Sequence, residues 1–387
     1  MNINRKHLDE IQFARAIAIF AVLAVHASST GVGFTEHSSP AFSIYTFFNY
    51  AGKLGTPTFI FLSSFILFYT YYPRKLTLDL FKKFYKKRML YILVPYLVFS
   101  IFYFGIASYM NTTVGVPFVP AEALPNFLKD FFTGDAYFHL YFVFVSVQLY
   151  LMFPLILYLF QKSAFIRRFA IPIGIVIQWT WVFANSEIFQ VANKGSVSLS
   201  YFMFYFFGAF LGVYYEKITA WILNWRKSWP GLAAVFAAYL SMVALYVSIN
   251  YLTLTSQASF HSKLHEFAWS THAFTAAATL FILVHLMRFW NMPRIKNFLT
   301  EIGTVSFGFY LIHPLFLLIL RQMLPSGDGM LFHAWQLATM VITFFGSWFI
   351  VRFFFDFVPH SWIVFGKGNK IFGQVKTGKV YNNNKGY

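Results

Sequence analysis

Apolar stretches of membrane-spanning length recur along this chain, and the short loops between them alternate in charge. A helix needs about 20 mostly apolar residues to cross a bilayer. Such stretches lie near 11–29, 53–72, 89–110, 137–160 and 165–184, and again near 199–215, 229–252, 268–288, 303–324 and 333–356. The stretch at 199–215 is the shortest and would need tilt or local thinning of the bilayer. Cytoplasmic loops of membrane proteins are rich in Lys and Arg. With the N-terminus placed inside, the inner segments hold 23 of the 30 basic residues, and the outer loops hold only Lys129, Lys194 and Lys263. One missed or extra helix would scramble that alternation. The expectation is an all-α polytopic membrane protein of about ten transmembrane helices, with N-terminus and C-terminus both cytoplasmic.

Composition removes the soluble alternative. Only 11% of the residues are charged and 58% are hydrophobic, whereas a soluble domain carries roughly 25% charged residues. A net charge of +17 would point to nucleic acid in a soluble protein. Here the basic residues gather on one membrane face, so membrane lipid is the expected partner and nucleic acid is not. Cysteine is absent, which excludes disulfides, thiolate metal sites and a Cys nucleophile. Arg5 and Lys6 ahead of an apolar run resemble a signal peptide. Arg15 interrupts that run and no small-x-small site follows near 28–30, so it reads as an uncleaved span. The domain expectation is one membrane domain over 5–356 and a flexible, polar cytoplasmic tail over 357–387. The longest outer loops, near 30–52 and 111–136, are too short for a domain of their own. No internal repeat is evident, which counts against a transporter built from duplicated halves.

Four basic residues remain inside the expected spans: Arg15, Lys53, Arg321 and Arg352. A charge near the bilayer centre costs at least ~2.5–3.5 kcal/mol, so each needs a reason. Arg15 shares the first span with His26, 11 residues further on. At 100° per residue the two point from one face, about 16 Å apart along the axis. Taken singly, Arg15 could snorkel to the inner headgroups and His26 could cap a helix contact. Their common stripe points instead to a polar tunnel. His313 precedes Pro314, which frees a backbone carbonyl one turn earlier and permits a bend; a polar site and a simple interhelical hydrogen bond both fit. His139 and Gln148 face different sides of the fourth span, and His272 and His285 fit as packing residues. Lys82, Lys83, Lys86, Lys87 and Arg88 form a basic cluster. It suits anionic lipid at about 1 kcal/mol per residue, or an anionic cytosolic substrate with phosphates. The sequence holds no HExxH, Walker loop, Gly-rich dinucleotide turn or zinc-like cluster.

The segment Leu8-Asp9-Glu10-Ile11-Gln12-Phe13-Ala14-Arg15-Ala16-Ile17-Ala18, running on to Val25-His26, resembles the opening signature of the acyltransferase-3 family, whose first helix carries Arg, ten residues, then His. Pro57 to Phe65, Lys86 to Tyr96, His139 to Pro154 and Ser306 to Pro314 are similar to later segments of that family, in order, so the likeness covers about 5–356. Two positions depart from it. Ser64 replaces a usual glycine, implying looser helix approach, and Tyr91 replaces a frequent second arginine, leaving Arg88 for that role. No extracytoplasmic hydrolase-like domain of the kind some relatives carry is expected.

The resemblance implies a bacterial cytoplasmic-membrane enzyme that moves an acyl group from cytosolic acyl-CoA, generally acetyl-CoA, to a surface glycan, with no permanently bound cofactor and no metal. It further implies that Arg15 meets the pantetheine-phosphate region, that Arg88, Lys87 and Lys86 hold nucleotide phosphates, and that His26 meets the thioester. His26 would be a general base or an acyl carrier. A membrane exporter or flippase of a glycan or lipid-linked sugar is the opposing expectation, and a sensory or scaffold protein the third.

Overall fold

Pro314 has no N–H for the carbonyl of Tyr310, and Pro95 has none for the carbonyl of Tyr91. The computed structural model, which describes residues 8–326 and 329–367, shows what each proline does. Before Pro95 the helix widens into a π turn over Met89–Leu93, with Val94 N–H donating to Met89 O. Before Pro314 the helix continues, and the freed Tyr310 carbonyl accepts the His313 Nδ1–H at 2.8 Å.

The helices run α1 Asp9–Phe34, α2 Pro40–Ala51, α3 Gly55–Tyr71, α4 Leu78–Arg88, α5 Val94–Thr113, α6 Pro120–Thr133, α7 Tyr141–Lys162 and α8 Ala164–Arg168. They continue as α9 Ala170–Ala184, α10 Phe202–Val213, α11 Tyr215–Leu223, α12 Trp225–Leu254, α13 Ser262–Leu286, α14 Pro293–Arg321, α15 Met330–Phe357 and α16 Trp362–Phe365. The described residues contain no strand. The chain is a multi-pass, all-α membrane protein.

Among the described residues eight helical stretches are long and apolar enough to span, and nine if the pair Ser198–Val213 and Tyr215–Leu223, bent by 82°, counts as one. The count differs from the expected ten because α9 has only 15 residues, which rise about 22 Å against a hydrocarbon core of about 30 Å. The loop expected at 30–52 contains α2, which joins α3 through a 3-10 turn at Gly52–Leu54. That expected at 111–136 contains α6. Arg5, Lys6 and the tail from 368 onward lie outside the described residues. Residues 357–367, expected as the start of a flexible tail, are built in. Phe365 of α16 is buried against Phe99 and Phe354, because an aromatic ring gains more from that contact than from solvent.

The first helix is central and touches α2, α3, α13, α14 and α15. Its approach to α14 is close: a Cβ at Gly303 would clash with the carbonyl oxygen of Gln12. Small residues let backbones meet in this way where no hydrophobic force drives helices together. The looser approach expected from Ser64 does not occur. The glycine is supplied by the partner helix, where a Cβ on Gly208 would clash with the carbonyl oxygen of Phe61. Ser64 Oγ donates to Tyr205 O at 2.5 Å across the same contact.

Candidate active site

Arg15 and His26 of α1, together with residues of α7, line two separate cavities. At the end of the bundle that carries the basic α4, a cavity of about 260 Å³ is lined by Arg15, Ser63, Arg88, Tyr91, Tyr150, Thr304, Ser306, Tyr310 and Lys367. Towards the opposite end, one of about 570 Å³ is lined by His26, Lys53, Thr56, Tyr141, Lys194, Tyr201, Tyr246, His265, Glu266 and Trp269. Arg15 and His26, read from sequence as one polar stripe, thus serve two chambers.

In the smaller chamber, the Arg88 guanidinium lies over the Tyr150 ring at 4.7 Å and over Phe84 at 5.5 Å. Such stacking suits a delocalised, weakly hydrated cation. Tyr150 Oη and Ser63 Oγ share a hydrogen bond of 3.0 Å. Neither Arg15 nor Arg88 forms an ion pair among the described residues. Lys86 and Lys87, grouped with Arg88 by the resemblance, are exposed on α4 and do not line the chamber. One side of this chamber is closed by the return of α16, where Gly366, at φ +72°, sits so that a Cβ would meet Tyr91 O at 2.6 Å.

Between the chambers lies a knot of imidazole and phenol rings. The ring of His26 is 5.4 Å from that of His313 and 5.0 Å from Phe138. The His139 ring is 5.8 Å from His313 and 5.4 Å from Tyr310. Tyr310 Oη donates to the carbonyl of His139. Because His313 Nδ1 donates to Tyr310 O, its Nε2 carries the lone pair and stands buried without a partner among the described residues; both nitrogens of His139 likewise have none there. Buried polar atoms are nearly always satisfied, and orphans point to a ligand, water or catalytic use. Consecutive residues of α7, Tyr141 and Phe142, line the two chambers in turn.

His26 is half-buried, and its backbone is gripped from two sides. Arg321, at the end of α14, donates to His26 O at 2.7 Å and to Thr30 Oγ1 at 3.0 Å. Asn49 of α2 donates to Val25 O at 2.9 Å. The fourth in-span cation, Arg352, forms a buried bidentate pair with Glu301, which also accepts from Trp348 Nε1 at 2.9 Å. His272 and His285 pack as expected: His285 Nδ1 donates to Phe281 O at 2.7 Å, and His272 stacks on Tyr246. Gln148 faces away from His139, holding the loop between α9 and α10 through Ser196 O and Ser198 N–H. Among the described residues no His, Asp or Glu group could hold a metal ion.

Sequence reasoning missed most of the larger chamber. Lys53 carried a signal, as one of the four cations left inside spans. Tyr141 fell inside the family-like segment His139 to Pro154 but was given no role, and Trp269 carried no signal, since aromatic residues make up 22% of the chain.

The family profile described as acyltransferase domain matches residues 8–352. The chain belongs to the acyltransferase-3 family. Among curated proteins this acyltransferase-3 chain is similar to the probable poly-beta-1,6-N-acetyl-D-glucosamine export protein of Staphylococcus aureus strain MRSA252. The two are 23% identical over 316 residues, 78% of this chain and 81% of that one. The Staphylococcus epidermidis protein of the same name is 21% identical over 324 residues, 81% of this chain and 82% of the other. No solved structure matches. The larger chamber and the ring layer fall within the span of the acyltransferase-3 match, and the smaller chamber does so except for Phe355, Phe365 and Lys367.

Proposed function

We propose that the chain transfers an acyl group, acetyl in the first instance, from cytosolic acyl-CoA to a hydroxyl of an extracytoplasmic glycan. The observation that carries this reading is the pair of chambers divided by the ring layer, with two unpaired arginines on one side and His26 on the other. The positive-inside rule turns the arginine chamber to the cytosol, the compartment that holds acyl-CoA. At about 260 Å³ that chamber falls just below the usual range for drug-sized ligands. It suits a slender pantetheine arm, leaving the nucleotide phosphates at its mouth beside the exposed Lys86 and Lys87. The thioester then has to reach His26 across the His139–Tyr310–His313 layer.

In the direct route, a glycan hydroxyl oxygen attacks the thioester carbonyl while His26 takes its proton. The new C–O bond forms, the C–S bond breaks, and the departing thiolate receives the proton from the imidazolium. In the two-step route His26 carries the acyl group as an acyl-imidazole, which the hydroxyl then cleaves. Incubation with radiolabelled acetyl-CoA and no glycan separates the two routes, since only the second labels the protein. The reading itself is tested by comparing surface glycan from wild-type, deletion and His26→Ala strains. Lost acetyl on a normal amount of glycan supports it, and acetylation that survives His26→Ala with the protein in the membrane sinks it.

Export is the second reading, favoured by the name of the staphylococcal relatives. It predicts loss of surface glycan itself, with any residual glycan normally acetylated.

A further inference from the structure

The chamber facing His26 is far larger than a single hydroxyl needs, and its charges do not balance. Three of its lining side chains bear formal charge: Lys53, Lys194 and Glu266. Lys194 Nζ lies 2.5 Å from a Glu266 carboxylate oxygen whose side chain is 11% exposed, so this pair cancels. Lys53 remains. Its Nζ sits 3.8 Å from the centroid of the Tyr50 ring, and no carboxylate is within 4 Å among the described residues. The ring compensates part of the charge, but an ammonium inside a span remains unfavourable without an anion. Its placement is built: Lys53 occupies the 3-10 turn between α2 and α3, and Trp269 Nε1 donates to its carbonyl at 3.2 Å. The same Trp269 and Tyr141 offer half-buried aromatic faces to the cavity, surfaces that suit the C–H face of a pyranose while their polar edges meet hydroxyls.

We infer that this chamber takes an acidic saccharide, a sugar whose carboxylate pairs with Lys53 while its ring lies against Trp269 and Tyr141. The inference rests on the glycan-acceptor reading and sharpens its substrate class. A carboxylate paired with a partly desolvated ammonium is a charge-assisted contact, and it rejects neutral and cationic sugars by leaving Lys53 unmatched.

The test uses the full chain in nanodiscs of neutral phosphatidylcholine, so that no anionic headgroup competes. Binding of three tetrasaccharides of equal length is measured by calorimetry: hyaluronan (alternating glucuronate), chitin (neutral) and chitosan (cationic). The hyaluronan fragment should bind about tenfold tighter than chitin, with the advantage shrinking as salt rises. Lys53→Met should remove the advantage by bringing hyaluronan and chitin to equal affinity, whereas Lys53→Arg should keep it, which separates lost charge from lost fold. Equal binding of hyaluronan and chitin, a preference that survives Lys53→Met, tightest binding of chitosan, or no binding at all overturns the inference. Transfer from acetyl-CoA is assayed on the same samples. Acid-selective binding without transfer keeps this site and ends the acyl-transfer reading; transfer with no acid selectivity does the reverse.

Discussion

The two chambers hold their cations in opposite ways. On the basic side, Arg15 and Arg88 have no carboxylate partner among the described residues, and Arg88 rests on aromatic faces. On the far side, Lys194 is neutralised by Glu266, and one lysine of the two is left over. A buried ion pair holds structure in place, and a cation without one waits for an anion. Under the proposed function, donor and acceptor would be held by different physics: two arginines for a multiply charged donor, and shape, rings and one lysine for the acceptor. Each chamber therefore has its own signature in kinetics.

The largest expected effect crosses both. His26→Ala should lower transfer about 10³-fold, the range of a lost general base, with membrane insertion unchanged; radiolabel transfer from acetyl-CoA in inverted vesicles measures it. Arg15→Ala comes next, with about a hundredfold loss in kcat/KM for acyl-CoA and an unchanged KM for the glycan. Arg15→Lys should restore it only in part, because a point charge replaces a planar fork. If Arg15→Ala raised the glycan KM instead, the division into two chambers would collapse. Glu266→Gln should act on the other side, changing the glycan KM about tenfold by leaving Lys194 unmatched while sparing the acyl-CoA KM. The smallest effect belongs to Lys86→Ala with Lys87→Ala, about two- to threefold on acyl-CoA KM and vanishing at high salt, as expected of exposed charges.

These predictions also mark what the sequence disclosed. Membrane class and helix positions were legible because apolar length and loop charge are local properties. The in-span cations were legible for the same reason, since a charge in a span is visible without knowing its neighbours. What each one meets was not. Lys53 in the larger chamber, Arg321 on the His26 carbonyl and Arg352 on Glu301 depend on helices 200 residues or more apart for the first two, and on a bidentate pair across α14 and α15 for the third. The Ser64 expectation failed for a related reason. Close approach belongs to a helix pair, and the glycine can sit on either member, here Gly208. The widening before Pro95 and the carbonyl freed by Pro314 share one cause, yet only the second was foreseen, because the neighbouring His313 marked the position.

Arg15 and His26 belong to one unbroken helix, Asp9–Phe34. Their separation is therefore set by helical rise alone, about 16 Å for 11 residues, and no loop movement can lengthen it. In a transferase of the proposed kind that makes α1 a ruler. A donor would be accepted when the distance from its phosphates to its thioester matches the helix, and truncated donors would be refused however good their acyl group.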